Sequence, residues 1–123
     1  MIYSEYKVKF YKNSRNEKEP VLDYLLKINI KDRLKIEKYL EYLKESKGYL
    51  DEPLSRHITG KIRELKVDFG RNRHRVFYFS FINKNIILLH AFFKKSQKAP
   101  RKEIRKALNN YYDFMNNLHK YDL

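Results

Sequence analysis

The chain has 123 residues, of which 28 are Lys or Arg and 15 are Asp or Glu, giving a formal charge of +13 at neutral pH. That length supports one core, and a composition 42% hydrophobic and 15% aromatic suffices to bury it, which excludes whole-chain disorder. The absence of cysteine excludes a disulfide framework, a thiolate nucleophile, Cys-ligated zinc and an iron-sulfur cluster.

The first residues alternate, with Tyr6, Val8 and Phe10 on one face and Lys7, Lys9 and Tyr11 on the other, which predicts a half-buried strand over Glu5 to Tyr11. Pro20 follows a polar stretch and suits the first position of a helix carrying Val21, Leu22, Leu25, Leu26 and Ile28. A second helix is expected from about Lys31, with Ile36, Tyr39, Leu40 and Leu43 at helical spacing and Gly48 as its stop. Asp51 to Gly60 reads as an irregular connection. Lys61 to Val67, Arg73 to Phe81 and Asn85 to Phe93 are three strand-like runs whose short links imply antiparallel neighbours. Pro100 opens a last helix with a stripe of Ile104, Ala107, Leu108, Tyr111, Met115 and Leu118. The order is β-α-α-β-β-β-α in a single domain over 1–123, an α+β fold with a mainly antiparallel sheet.

The longest apolar run, Ile86 to Phe93 with His90 inside it, is far short of the ~20 residues that span a bilayer. Met1 to Glu5 has neither a basic nor an apolar leader region, so the expectation is a cytoplasmic protein with no membrane partner. The charge points to a polyanionic partner, and it is focused: Arg63, Arg71, Arg73 and Arg75 fall in one short stretch, and Lys94, Lys95, Lys98, Arg101 and Arg105 in another. The competing reading is an AT-rich coding composition, in which many lysines merely solvate the surface.

Arg63-Glu64-Leu65-Lys66, His74-Arg75-Val76-Phe77-Tyr78 and Leu88-Leu89-His90-Ala91-Phe92-Phe93-Lys94-Lys95-Ser96-Gln97-Lys98-Ala99-Pro100, taken in this order, resemble the RelE/ParE superfamily of bacterial toxins, most closely its phage-related HigB-type branch. The resemblance runs from the Pro20 helix to Ala107. It implies a RelE-like fold with both N-terminal helices packed on one sheet face, a messenger-RNA-cleaving endoribonuclease acting on the translating ribosome, and an inhibiting antitoxin of the helix-turn-helix HigA type. Two positions depart from the pattern. Lys66 stands where the family usually has arginine, keeping the charge without the planar fork, and Ala99 stands where a threonine would cap the last helix.

Metal-free RNA cleavage needs a base near the 2′-hydroxyl, cations around the scissile phosphate and a donor for the departing 5′-oxygen. Arg75 is the expected phosphate clamp, the other reading being a surface arginine paired with Glu64. Lys66 and Lys95 are expected to stabilise the transition state or move a proton, against the reading of two solvated lysines. The resemblance places Lys66 and Arg75 on one concave face, with Lys95 at the end of the last strand. Glu52 is a candidate base through the likeness of Glu52-Pro53-Leu54 to a segment of YoeB toxins, or simply the start of a loop. Arg63, Arg71, Arg73, Lys94 and Lys98 are expected to contact RNA backbone. His90 reads as a core histidine, and alternation puts His74 on the face opposite Arg75. His57, His74, His90 and His119 lack metal-ligand spacing, so neither metal nor cofactor is expected. Two other functions remain open: a non-catalytic ParE-like toxin that binds a protein such as DNA gyrase, and a basic RNA-binding module.

Overall fold

A computed structural model describes residues 5–97 and 100–123. The elements are β1 (Lys7–Phe10), α1 (Pro20–Lys27), α2 (Ile30–Glu45), β2 (Ser55–Thr59), β3 (Ile62–Phe69), β4 (Asn72–Phe81), β5 (Asn85–Phe93) and α3 (Arg101–Met115), followed by a 3-10 turn over Leu118–Lys120. Proline occupies the start of α1, and the Asn29 side chain caps α2 by accepting from the Asp32 N–H at 2.9 Å. The chain leaves α2 through Gly48, whose φ of +83° favours glycine and whose N–H donates to the Leu43 carbonyl. A Cβ at Gly48 would also collide with the Ser80 hydroxyl.

One five-stranded sheet has the order β1-β5-β4-β3-β2; β1 runs parallel to β5, and the other pairs are antiparallel. One sequence expectation is corrected here. The element order contains four consecutive strands instead of three, because Ser55–Thr59 is a strand and not part of an irregular connection. It pairs only with β3 and lies at the sheet edge, so its polar SRHIT sequence carries little apolar alternation to reveal it. The sheet is mainly antiparallel, with one parallel pair that β1 makes with β5 after the chain has crossed over through α1 and α2. The β4–β5 hairpin is closed by the three-residue link Ile82 to Lys84, with Asn83 and Lys84 at positive φ.

The core has two layers. Val21, Leu25, Ile36, Leu40 and Leu43 of α1 and α2 pack on Leu65, Val67, Val76, Tyr78, Ile86 and Leu88. On the other face, Ala107 and Phe114 of α3 pack with Tyr11, Ile62, Phe77, Phe79, Ile87, Leu89 and Phe92. A bulge explains how Ile87, Leu89 and Phe92 share that face: Phe77 pairs with His90 but Tyr78 with Leu88, leaving Leu89 as the extra residue. No helix among the described residues is long and apolar enough to cross a membrane.

Candidate functional site

Side chains directly opposite one another in a strand pair share a face. Lys66 lies opposite Arg75, and Arg75 opposite Phe92; in the next row Arg56 is opposite Glu64, Glu64 opposite Phe77 and Phe77 opposite His90. A third row holds Asp68 opposite Arg73, and the Lys94 N–H extends the ladder by donating to the Arg73 carbonyl at 2.8 Å. Because Phe77 and Phe92 belong to the core layer under α3, all three rows lie on the α3 face. Four strands thus deliver Arg56, Lys66, Arg73, Arg75 and Lys94 to one end of that face, beside the aromatic floor of Phe77 and Phe92.

Arg75 is 5% exposed, which corrects the reading of a surface arginine. Its Nη1 donates to Asp68 Oδ1 at 2.7 Å and to the His74 carbonyl at 3.0 Å, so its acidic partner is Asp68 and not Glu64. Glu64 is fully buried and accepts instead from Arg56 Nε at 3.0 Å. Glu64 Oε2 and Arg75 Nε are buried without a partner among the described residues, an unusual pair of orphans for one sheet face. Burial pushes the Lys94 ammonium below the ordinary lysine range; Glu64 opposes that, and Arg75, Arg56 and Lys66 add to the lowering. Lys94 is thereby placed within the field of the whole cluster.

The other expected residues divide. Lys95 is exposed just past β5 and, unlike Lys66, Arg56 and Arg75, is not among the charges acting on Lys94. Glu52 is exposed in the turn before β2 and is not among the charges acting on Lys94. Arg63 points to the α1/α2 side: it donates to Ser55 Oγ and the Leu50 carbonyl, and its guanidinium lies 4.5 Å from the Tyr49 ring centre. It is a structural tie on the side of the sheet away from the cationic cluster. Arg71 is exposed in the β3–β4 turn and Arg73 on the α3 face, while Lys98 and Ala99 lie outside the described residues. Sequence reasoning misses Arg56, because β2 is not recognisable from its residues alone, and Asp68, because Asp68-Phe69-Gly70 reads as a turn.

His90 Nε2 is 2.6 Å from Glu103 Oε1, tying β5 to the start of α3, and its ring stacks on Phe92. Burial lowers the His90 pKa while Glu103 opposes the shift. Tyr111 packs edge-on against Phe79 in the core, and Tyr112 is exposed. Among the described residues no group of three or more His, Asp or Glu is placed to hold a metal ion. Arg56, Lys66, Arg73, Arg75 and Lys94 together form a cationic patch with the chemistry to bind an anion.

Residues 23–112, from α1 to α3, match a family described as Phage derived protein Gp49-like (DUF891). A search of curated proteins finds no match.

Proposed function

The chain belongs to the Gp49-like family of phage-derived proteins, a RelE/ParE-like toxin family that implies a cognate antitoxin, and from that premise we propose that it is a HigB-type messenger-RNA endoribonuclease acting on the translating ribosome and inhibited by a HigA-type antitoxin. The observation that carries this reading is the placement of Lys66 opposite Arg75, with Lys94 in the next row, on one partly open face. A toxin that only docks on a protein has no use for cations converging at this spacing beside buried, unpartnered polar atoms.

In this reading the substrate 2′-hydroxyl gives its proton to a water molecule, the 2′-oxygen attacks the adjacent phosphorus to form a 2′,3′-cyclic phosphate, and the bond to the 5′-oxygen breaks as that oxygen takes up a proton. Arg75 holds a phosphoryl oxygen. Its Nη1 is committed to protein acceptors, which fixes the guanidinium plane and leaves its remaining donors for the anion. Lys66 stabilises the charge that builds on the phosphorane. Lys94, whose lowered pKa makes it a stronger acid than a solvated lysine, donates to the departing oxygen. Glu64 anchors Arg56 and keeps Lys94 charged enough to serve. Arg71 and Arg73 contact neighbouring phosphates.

The test is induced expression followed by mapping of messenger-RNA 5′ ends, with and without translation. New ends inside translated frames, lost when translation is blocked and when the antitoxin is co-expressed, are expected. Growth arrest without new RNA ends would overturn the endonuclease reading in favour of a protein target.

A further inference from the structure

Behind Arg75, on the α1/α2 side of β4, lies a buried polar chain that the cleavage chemistry does not use. Asp32, in the first turn of α2, is 4% exposed, and its Oδ2 accepts from Asn72 Nδ2 at 2.7 Å and lies 2.7 Å from His74 Nε2. Burial pushes the Asp32 carboxyl up, but the bonds from His74 and Asn72 outweigh it and hold the group below the usual carboxylate range. An ionised carboxylate only accepts, so His74 Nε2 carries the proton between them. On the other side of the ring, the Tyr24 hydroxyl of α1 is 2.7 Å from His74 Nδ1. The Tyr24 phenol, pushed up to about 12 by burial and by Asp32, keeps its proton at neutral pH. The edges of the Tyr24 and Phe93 rings enclose the imidazole.

This chain ends on the arginine. The His74 carbonyl accepts from Arg75 Nη1, and the second acceptor of that nitrogen, Asp68, is itself held by α2, whose Lys35 Nζ donates to the Asp68 carbonyl. Asp32 and Lys35, three residues apart and so on one side of α2, therefore fix the two acceptors that orient the guanidinium, one on each strand of the hairpin. An apolar trio of similar volume would fill the space behind β4 without the desolvation of a carboxylate and an imidazole. What the polar chain adds is a single backbone position for residue 74.

We propose that Asp32, His74 and Tyr24 are positioning residues for Arg75, setting its guanidinium from the opposite face of the sheet through the carbonyl of residue 74. This deepens the endoribonuclease reading and rests on it. The activity assay is cleavage of messenger RNA on purified translating ribosomes by the full chain. His74→Phe replaces the imidazole with a somewhat larger apolar ring and loses both bonds; it lowers kcat by about tenfold or more with KM nearly unchanged, since small misplacements of a reacting group are costly. Tyr24→Phe, at a half-buried position that folds readily, lowers kcat less, and His74→Gln, whose amide can still donate to Asp32, recovers part of the loss. In an Arg75→Lys background, His74→Phe adds little further loss because the oriented fork is already gone.

A second readout needs no activity. By nuclear magnetic resonance, the Arg75 guanidinium rotates slowly in the wild type and faster in His74→Phe and Tyr24→Phe. If the wild type does not cleave RNA, the functional reading falls while the resonance experiment still decides the positioning. Unchanged guanidinium rotation in folded Tyr24→Phe and His74→Phe, or an equal loss of kcat with and without Arg75, overturns the proposal.

Discussion

His74, Val76 and Tyr78 of β4 face α1 and α2; Arg73, Arg75 and Phe77, interleaved with them, face the side of α3. On the first side the polar side chains of β4 are matched within the protein: both His74 nitrogens are bonded and the Tyr78 hydroxyl meets Ser55 Oγ at 2.8 Å, the unpartnered buried atom there, among the described residues, being Arg33 Nε of α2. On the second, Arg75 Nε and Glu64 Oε2 are buried without partners among the described residues, and cations outnumber the carboxylates around them. A single strand thus serves as scaffold on one side and, in the proposed reading, as an anion site on the other. The mismatch in polar satisfaction marks which is which, because groups left unmatched by the fold are available to a ligand.

The contrast breaks most decisively at residue 75. Arg75→Ala removes one preorganised electrostatic group, and cleavage of ribosome-bound messenger should fall by a factor of about 100 to 1000. Arg75→Lys should recover only part, since a point charge lacks the planar fork. Because Arg75 is buried, each variant needs a native circular dichroism spectrum and melting curve alongside the rate. A folded Arg75→Ala that cleaves at the wild-type rate would remove this face as the site.

Adjacent residues on β3 sharpen the contrast. Leu65→Ala empties a fully buried position under α1 and α2 and should lower unfolding free energy by about 2 to 5 kcal/mol in urea melts. Lys66→Gln, one residue on, should change stability by less than about 0.5 kcal/mol and still reduce the cleavage rate. It should also raise the Lys94 pKa, because Lys66 contributes to its lowering. A carbon-13 titration of the Lys94 side chain reads this directly, and an unmoved titration would separate the two lysines.

Much of this division is legible in the sequence because strand periodicity is a two-state signal. Once Arg73 to Phe81 is a strand, Arg75 and His74 must face opposite ways, and Lys66 and Arg75 need only the pairing register to meet. The register itself is tertiary, set by the two-residue turn at Gly70 and Arg71 and by the core rows around it. Arg56 and the Arg56–Glu64 pair are illegible for a different reason: an edge strand as polar as Ser55–Thr59 looks like a loop until β3 is seen beside it. Lys94 and Lys95 differ only in where the last strand's alternation ends, which sequence boundaries do not resolve.

Two arginines on opposite faces test the same division through salt dependence. Arg73→Ala, on the α3 face, should reduce the slope of log affinity for single-stranded RNA against log salt by about 0.7, the share of one neutralised phosphate. Arg63→Ala, bound to Ser55, the Leu50 carbonyl and the Tyr49 ring, should leave that slope unchanged and lower stability by about 1 to 2 kcal/mol. The opposite pattern would place Arg63 in the RNA-binding set.

Each side of the sheet also carries an aspartate that ties elements together, buried at Asp32 and half-buried at Asp113, and acid should act on both. On the α3 side Asp113 accepts from the Tyr11 hydroxyl at 2.7 Å, from the Ser14 N–H at 2.9 Å and from Ser14 Oγ at 2.5 Å, tying the chain after β1 to α3. Burial pushes its carboxyl up, but these bonds and the Lys120 charge prevail and hold it below the usual range, as for Asp32 behind β4. A carboxyl whose folded pKa is depressed stabilises the fold fully above its unfolded value, near about 4, and loses that contribution as pH falls through the folded value. Asp113→Asn should therefore be less stable than the wild type at about pH 7, by about 1 kcal/mol per charge-assisted bond weakened. The difference should shrink steadily below about pH 4, where the wild-type carboxyl is itself being protonated. Urea midpoints measured across that range read the effect as a closing gap between two curves. A gap that stays constant down to about pH 2 would mean that the Asp113 charge contributes nothing and that shape alone holds α3 to the loop.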